Sequence, residues 1–91
     1  MKIRKGQMID QMADFGPHNP DEVPYTMCRY IVIEEDESDA YLYVVKGYTD
    51  EHDRVINDIS VPGMIERITK KYIVSKEETV NNFYWEVVND I

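Results

Sequence analysis

The sequence predicts a small α+β domain in which an antiparallel sheet packs against two or three helices. Two apolar runs, at residues 25–33 and 41–48, are rich in β-branched and aromatic residues and flank a dense acidic turn. This pattern is typical of a β-hairpin over about residues 25–48. The end of the chain repeats apolar positions at helical spacing, which predicts an amphipathic C-terminal helix over about 76–90. One domain, 1–91, is expected, because a chain this short supports a single core.

The segment before the hairpin favours a short helix. Apolar residues recur at near-helical spacing over residues 7–15, and the pair Gly16-Pro17 is a helix stop signal. Three prolines within residues 17–24 then predict a stiff, extended connection to the hairpin.

Residues 50–75 fit two patterns. Residues 54–59 are a candidate third strand, although their apolar positions also fit a helical turn, and we prefer the strand. Ser60 offers a helix N-cap, with Pro62 in the first turn and an apolar stripe that continues to Ile68. A middle helix is therefore expected after the third strand.

The C-terminal helix has a well-marked start. Ser75 and Glu78 form a capping-box pattern, and Glu77 places negative charge in the first turn. Trp85 falls about 125° from the centre of the apolar face at 100° per residue. A tryptophan on a polar flank is a candidate interface anchor, with the edge of the core as the alternative position.

The charge is concentrated in the middle of the chain. The net charge is −8, and the stretch from Asp10 to Asp58 holds thirteen acids against three bases. Such a surface repels phosphate backbones and anionic lipid head groups and attracts basic protein surfaces. Direct nucleic-acid binding and membrane binding are therefore not expected, although the acidity could also serve solubility alone.

The composition favours a folded, cytoplasmic protein. The hydrophobic fraction of 43% is too high for a disordered chain. Cys28 is the only cysteine, so an intramolecular disulfide and a multi-cysteine zinc site are excluded, and a reducing compartment is the simplest setting. No apolar run approaches the ~20 residues that cross a bilayer.

The acidic run from Glu34 to Asp39 does not match a calcium loop. Glu35, Glu37 and Asp39 alternate as early calcium ligands do, but Ala40 stands at the sixth position, where an EF-hand requires glycine. A solvated hairpin tip that discourages edge-to-edge aggregation is the simpler interpretation.

No motif for catalysis or a cofactor is present. His52 lies among Asp50, Glu51 and Asp53, which makes a small metal- or ligand-binding site a third-ranked hypothesis. The glycines form no phosphate-binding cluster, and no serine lies in a nucleophile elbow. We therefore predict a protein that is not an enzyme and carries no metal or cofactor.

The preferred hypothesis is a protein-binding inhibitor or regulator. Carboxylates would occupy lysines and arginines on a partner, such as a nucleic-acid enzyme, that otherwise hold phosphates. Phage-encoded anti-defence proteins and nucleic-acid mimics resemble this chain in size and charge, but only in composition. Homo-oligomeric assembly, including a homodimer, is the alternative. The predicted partner-binding residues are Glu34, Glu35, Asp36, Glu37, Asp39, Tyr41, Tyr43, Asp50, Glu51, Asp53 and Trp85.

Overall fold

In the part of the chain that the structure describes, the protein forms a five-stranded antiparallel sheet. The computed structural model describes residues 1–15, 23–47 and 61–89. The strands follow the spatial order β4-β3-β2-β1-β5, and every neighbouring pair is antiparallel. Their bounds are β1 Met8–Ala13, β2 Tyr25–Glu35, β3 Asp39–Lys46, β4 Ile65–Thr69 and β5 Phe83–Asn89.

The α+β prediction is wrong, because the described residues contain no α-helix. Their only helical element is a single 3₁₀ turn, Lys70–Tyr72. The hairpin part of the prediction agrees with the structure, since β2 and β3 pair from Arg29↔Lys46 to Glu35↔Ala40. The candidate third strand at 54–59 lies outside the described residues.

The segment expected to be the N-terminal helix is strand β1. Its apolar spacing over so few residues fits either periodicity, and long-range pairing decides between them. β1 pairs with β2 from Met8↔Ile31 to Ala13↔Tyr25 and with β5 on its other side. Because both of its edges are bonded, β1 is an interior strand of the sheet.

The predicted middle helix is also absent. Met64 N–H donates to the Val61 carbonyl at 3.0 Å, and Gly63 N–H donates to the Val44 carbonyl at 2.9 Å. Gly63 has a φ of 92°, a left-handed conformation that glycine adopts without steric cost. The residues expected to begin a helix therefore form a tight turn that leads into β4.

The C-terminal helix prediction is wrong as well, although its start signal is present. Ser75 N–H donates to Glu78 Oε1 at 2.9 Å, and Thr79 N–H donates to the Ser75 carbonyl at 3.0 Å. One turn forms and then ends, because Asn81 Oδ1 accepts the Phe83 N–H at 2.7 Å and redirects the chain. The following aromatic and β-branched residues pair with β1 instead.

The core lies on one face of the sheet. Ile9, Tyr30 and Leu42 are fully buried there. Ile3 and Ile73 belong to the same cluster, so segments flanking β1 and β5 cover this face. The buried apolar residues of the cluster are Ile3, Ile9, Cys28, Tyr30, Val32, Ala40, Leu42, Val44, Ile73 and Trp85.

The opposite face carries a buried ion pair. Arg29 Nε donates to Asp10 Oδ1 at 2.8 Å and Arg29 Nη2 donates to Oδ2 at 2.9 Å, while the Thr26 hydroxyl donates to Oδ2 at 3.1 Å. The hydrogen bond to Asp10 raises the pKa of Arg29. The Asp10 side chain is buried, whereas the Arg29 side chain is 37% exposed. The pair thus joins the two central strands at Asp10↔Arg29.

Removal of either partner of this pair is expected to destabilise the fold unequally. Arg29→Ala leaves a buried carboxylate without its cation and should lower the free energy of unfolding by about 3–4 kcal/mol. Asp10→Ala leaves an arginine that can reach water, so a smaller loss of about 2 kcal/mol is expected. Urea denaturation measures both, and a milder effect for Arg29→Ala than for Asp10→Ala would contradict this ordering.

Glu78 makes stability depend on acid pH. Hydrogen bonds from Ser75 N–H and from the amine of Met1 lower the pKa of Glu78 from 4.5 to about 2. Because the folded pKa is lower than the unfolded one, the stabilisation is present above about pH 4.5 and is lost as the pH falls towards 2. Glu78→Gln should therefore flatten the decline in unfolding free energy over that range. Glu77→Gln, at the adjacent exposed carboxylate, is the control and should decline as the parent protein does.

Candidate protein-binding surface

The acidic turn between β2 and β3 has a defined backbone structure. Asp36 Oδ1 accepts the Ser38 N–H at 3.0 Å and the Asp39 N–H at 2.8 Å, and Asp36 N–H donates to the Asp39 carbonyl at 3.0 Å. These backbone hydrogen bonds, first that of Asp39, lower the pKa of Asp36. Asp36 is therefore an aspartate that closes the turn, and its Oδ1 is already engaged within the turn.

Three other acids of the turn face bases from distant parts of the chain. Lys70 Nζ bonds the carboxylate of Glu35, with both side chains partly buried. The remaining two pairs are longer, and their bases are more exposed: Lys5 Nζ lies 3.7 Å from Glu34, and Arg67 Nε lies 3.8 Å from Asp39. The acidic tip (Glu34, Glu35, Asp36, Glu37 and Asp39) is thus partly neutralised by the fold itself.

Its outer charges remain accessible. Glu37 is exposed and forms no ion pair with any described residue. Exposed ion pairs at such distances contribute little to stability, so a competing cation can replace Lys5 or Arg67 at low cost. The tip can therefore present carboxylates to a basic surface, chiefly through Glu34 and Glu37.

Tyr41 and Tyr43 lie on the face of the sheet opposite the core. Tyr41 is the cross-strand neighbour of Glu34 and Arg67, and Tyr43 is the neighbour of Ile65. The Tyr43 side chain is 40% exposed, whereas Tyr41 is half-buried. Tyr41 therefore adjoins the acidic tip, and Tyr43 lies two residues further along β3 on the same face.

Next to Tyr43 lies an exposed surface that the sequence did not indicate. Ile65 is 60% exposed, and together with its cross-strand neighbour Tyr43 it forms what we call the apolar patch. The patch was missed because this segment was expected to be a helix with Ile65 in its apolar stripe. Tyr43 and Ile65 are far apart along the chain, so no local pattern indicated that they pair.

The structure places Trp85 away from the tip and inside the protein. It is 6% exposed on β5, and its ring lies 5.5 Å from that of Tyr30 at an angle of 36°. The predicted position of Trp85 on a polar flank assumed a helix. In strand β5 the same residue points to the core. Asp50, Glu51 and Asp53 lie outside the described residues.

Most of the acidic excess also lies outside the described part of the chain. Residues 1–15, 23–47 and 61–89 hold eleven acids and nine bases, whereas the remaining residues hold seven acids and one arginine. The described sheet thus carries −2 of the net −8. Its acidity is local, at the tip, and is not a general property of its surface.

A cleft lies beside β5, at the other end of the sheet. It has a volume of about 330 Å³, and a second cleft of about 240 Å³ shares Lys76 and Tyr84 with it. Burial raises the pKa of the Tyr84 hydroxyl. Cys28 is fully buried, and no group of metal-binding side chains occurs within the described ranges.

Comparison with known proteins does not assign the chain to a family. No protein-family model, curated protein or solved structure shows significant similarity to the chain. Among the described residues there is also no helix long and apolar enough to span a bilayer. Function therefore has to be argued from the surface just described.

The role of Asp36 in the turn can be tested by amide exchange. Asp36→Ala removes the acceptor for two backbone N–H groups, so exchange at Ser38 and Asp39 should become faster and the hairpin tip more mobile. Glu37→Ala is the matched control, because it removes an acid of the same turn that accepts no such bond. Equal exchange rates in both variants, measured by NMR, would refute the assignment of Asp36 as the residue that closes the turn.

Proposed function

We propose that this protein is a protein-binding inhibitor or regulator that applies its acidic tip to a basic surface of a partner. The main support for the proposal is that a hydrogen-bonded turn holds accessible carboxylates at the tip. Asp36 orders the backbone, while Glu34 and Glu37 are exposed. A fixed turn loses little conformational entropy on binding, so the charges are partly preorganised.

The apolar patch supports a protein partner. Protein interfaces combine an apolar centre with a polar rim, and aromatic residues are enriched at the centre. Tyr43 and Ile65 are cross-strand neighbours on β3, which begins at the tip, and on the adjacent strand β4. A partner with lysines or arginines around an apolar contact would complement both parts of this surface.

The effect on such a partner would be competition. Basic surfaces of nucleic-acid enzymes hold phosphates through the same lysines and arginines that carboxylates bind. A partner occupied by the tip would then bind nucleic acid more weakly. Association should be fast at low salt and should slow as salt screens the charges.

The test is affinity capture from the source lysate with two matched variants. The tip variant, Glu34→Lys with Glu37→Lys, reverses the two exposed acids and spares both Asp36 and the Glu35 pair. The control variant, Glu77→Lys with Glu86→Lys, makes the same change in net charge at exposed positions near β5. Circular dichroism should show that both remain folded.

We expect the parent protein and the control variant to retain a basic protein that moderate salt releases and that duplex DNA displaces. The tip variant should lose it by at least about tenfold in affinity, because two attractive contacts become repulsive. Equal retention by the tip variant would refute the proposal. Recovery of the protein alone as a stable multimer would favour homo-oligomeric assembly instead.

A further inference from the structure

The two edges of the sheet differ in how far they are covered. At β5, Trp85 N–H donates to the Val74 carbonyl at 2.8 Å, and the Phe83 carbonyl accepts the Thr79 hydroxyl at 2.6 Å. The register of β5 also shifts between Val87 and Asn89. Bonded edges and bulges are the means by which proteins block further strand pairing.

At β4 no described residue bonds to the outer edge. Val44 N–H donates to the Met64 carbonyl at 2.9 Å and Lys70 N–H donates to the Ser38 carbonyl at 2.8 Å, so even-numbered residues face β3. By strand alternation, Ile65, Arg67 and Thr69 direct their N–H and C=O groups away from the sheet. These groups form no hydrogen bond to any other described residue, and the β3–β4 register has no shift.

The side chains along this edge define its chemistry. Ile65 and Arg67 project from the same face, since they are two residues apart in a strand. Ile65 is 60% exposed, and the Arg67 side chain is 68% exposed with only a 3.8 Å contact to Asp39. An added strand would therefore meet an apolar residue and, beside it, a cation that is only loosely paired.

We propose that β4 is the docking site for an extended strand of a partner protein, which adds to the sheet as a sixth strand. The strand carries an aspartate or glutamate opposite Arg67 and an apolar residue opposite Ile65. Main-chain hydrogen bonds to the outward groups of β4 supply the binding, and the two side-chain pairs supply selectivity. This site goes beyond the proposed function and does not depend on it.

A second copy of the chain fits this edge less well than a partner strand. Symmetric antiparallel pairing of β4 with itself over all five residues places Arg67 opposite Arg67. Like charges directly opposite each other destabilise a strand pair. The charge on the edge therefore selects an acidic strand from a different protein.

The experiment uses a library of random peptides displayed on phage and selected on the intact protein. Arg67→Pro removes an outward N–H without touching the bonds to β3, because proline is tolerated where the N–H faces solvent. Val87→Pro makes the same change at the covered edge and is the matched control. Arg67→Glu keeps the edge and reverses its charge.

We expect the selected peptides to alternate apolar and polar residues around an acid and to protect the amides of Ile65, Arg67 and Thr69 from exchange. Arg67→Pro should abolish binding, Val87→Pro should leave it unchanged, and Arg67→Glu should weaken it about fivefold and select basic peptides instead.

Failure to enrich peptides over Arg67→Pro would overturn the proposal, as would binding that protects amides elsewhere. Self-association that Arg67→Pro removes would overturn the choice of a partner strand. Loss of capture in the tip variant alone leaves this site intact, so the two proposals fail separately.

Discussion

Strand β1 lies inside the sheet, and its two ladders hold the first and last parts of the described chain together. β1 pairs with β2 on one side and with β5, from the far end of the chain, on the other. This arrangement brings Trp85 onto the core face beside Tyr30. On the opposite face it sets Asp10 beside Arg29, where two hydrogen bonds compensate the burial of the carboxylate.

The fold also controls how much charge the acidic tip presents. Lys5, Arg67 and Lys70 come from three separate segments and meet the acids of one turn. Most of these pairs are exposed, so they lower the local field without fixing the acids in place. A tip of this kind is a moderate, salt-sensitive electrostatic feature, which suits reversible association better than permanent assembly.

The two edges of the sheet differ in their coverage, and this difference affects where another strand can pair. Segment 73–79 covers part of β5, whereas the outer side of β4 keeps its main-chain groups and the exposed Ile65. Arg67 stands in the middle of that open edge, and a lone charge there discourages pairing between identical edges. In the proposed docking, the same residue pairs with an acid of the added strand and so contributes selectivity.

Local patterns were sufficient to predict the hairpin, its acidic turn and the common face of Tyr41 and Tyr43, because strand alternation and turn chemistry are local. They also placed the capping contact between Ser75 and Glu78 correctly. Local patterns were not sufficient for the flanking segments, because their apolar spacing fits either a helix or a strand. These segments are strands because they pair in the ladders of β1. The tip's ion pairs, the apolar patch and the open edge of β4 join residues far apart in the chain, so no local pattern could reveal them.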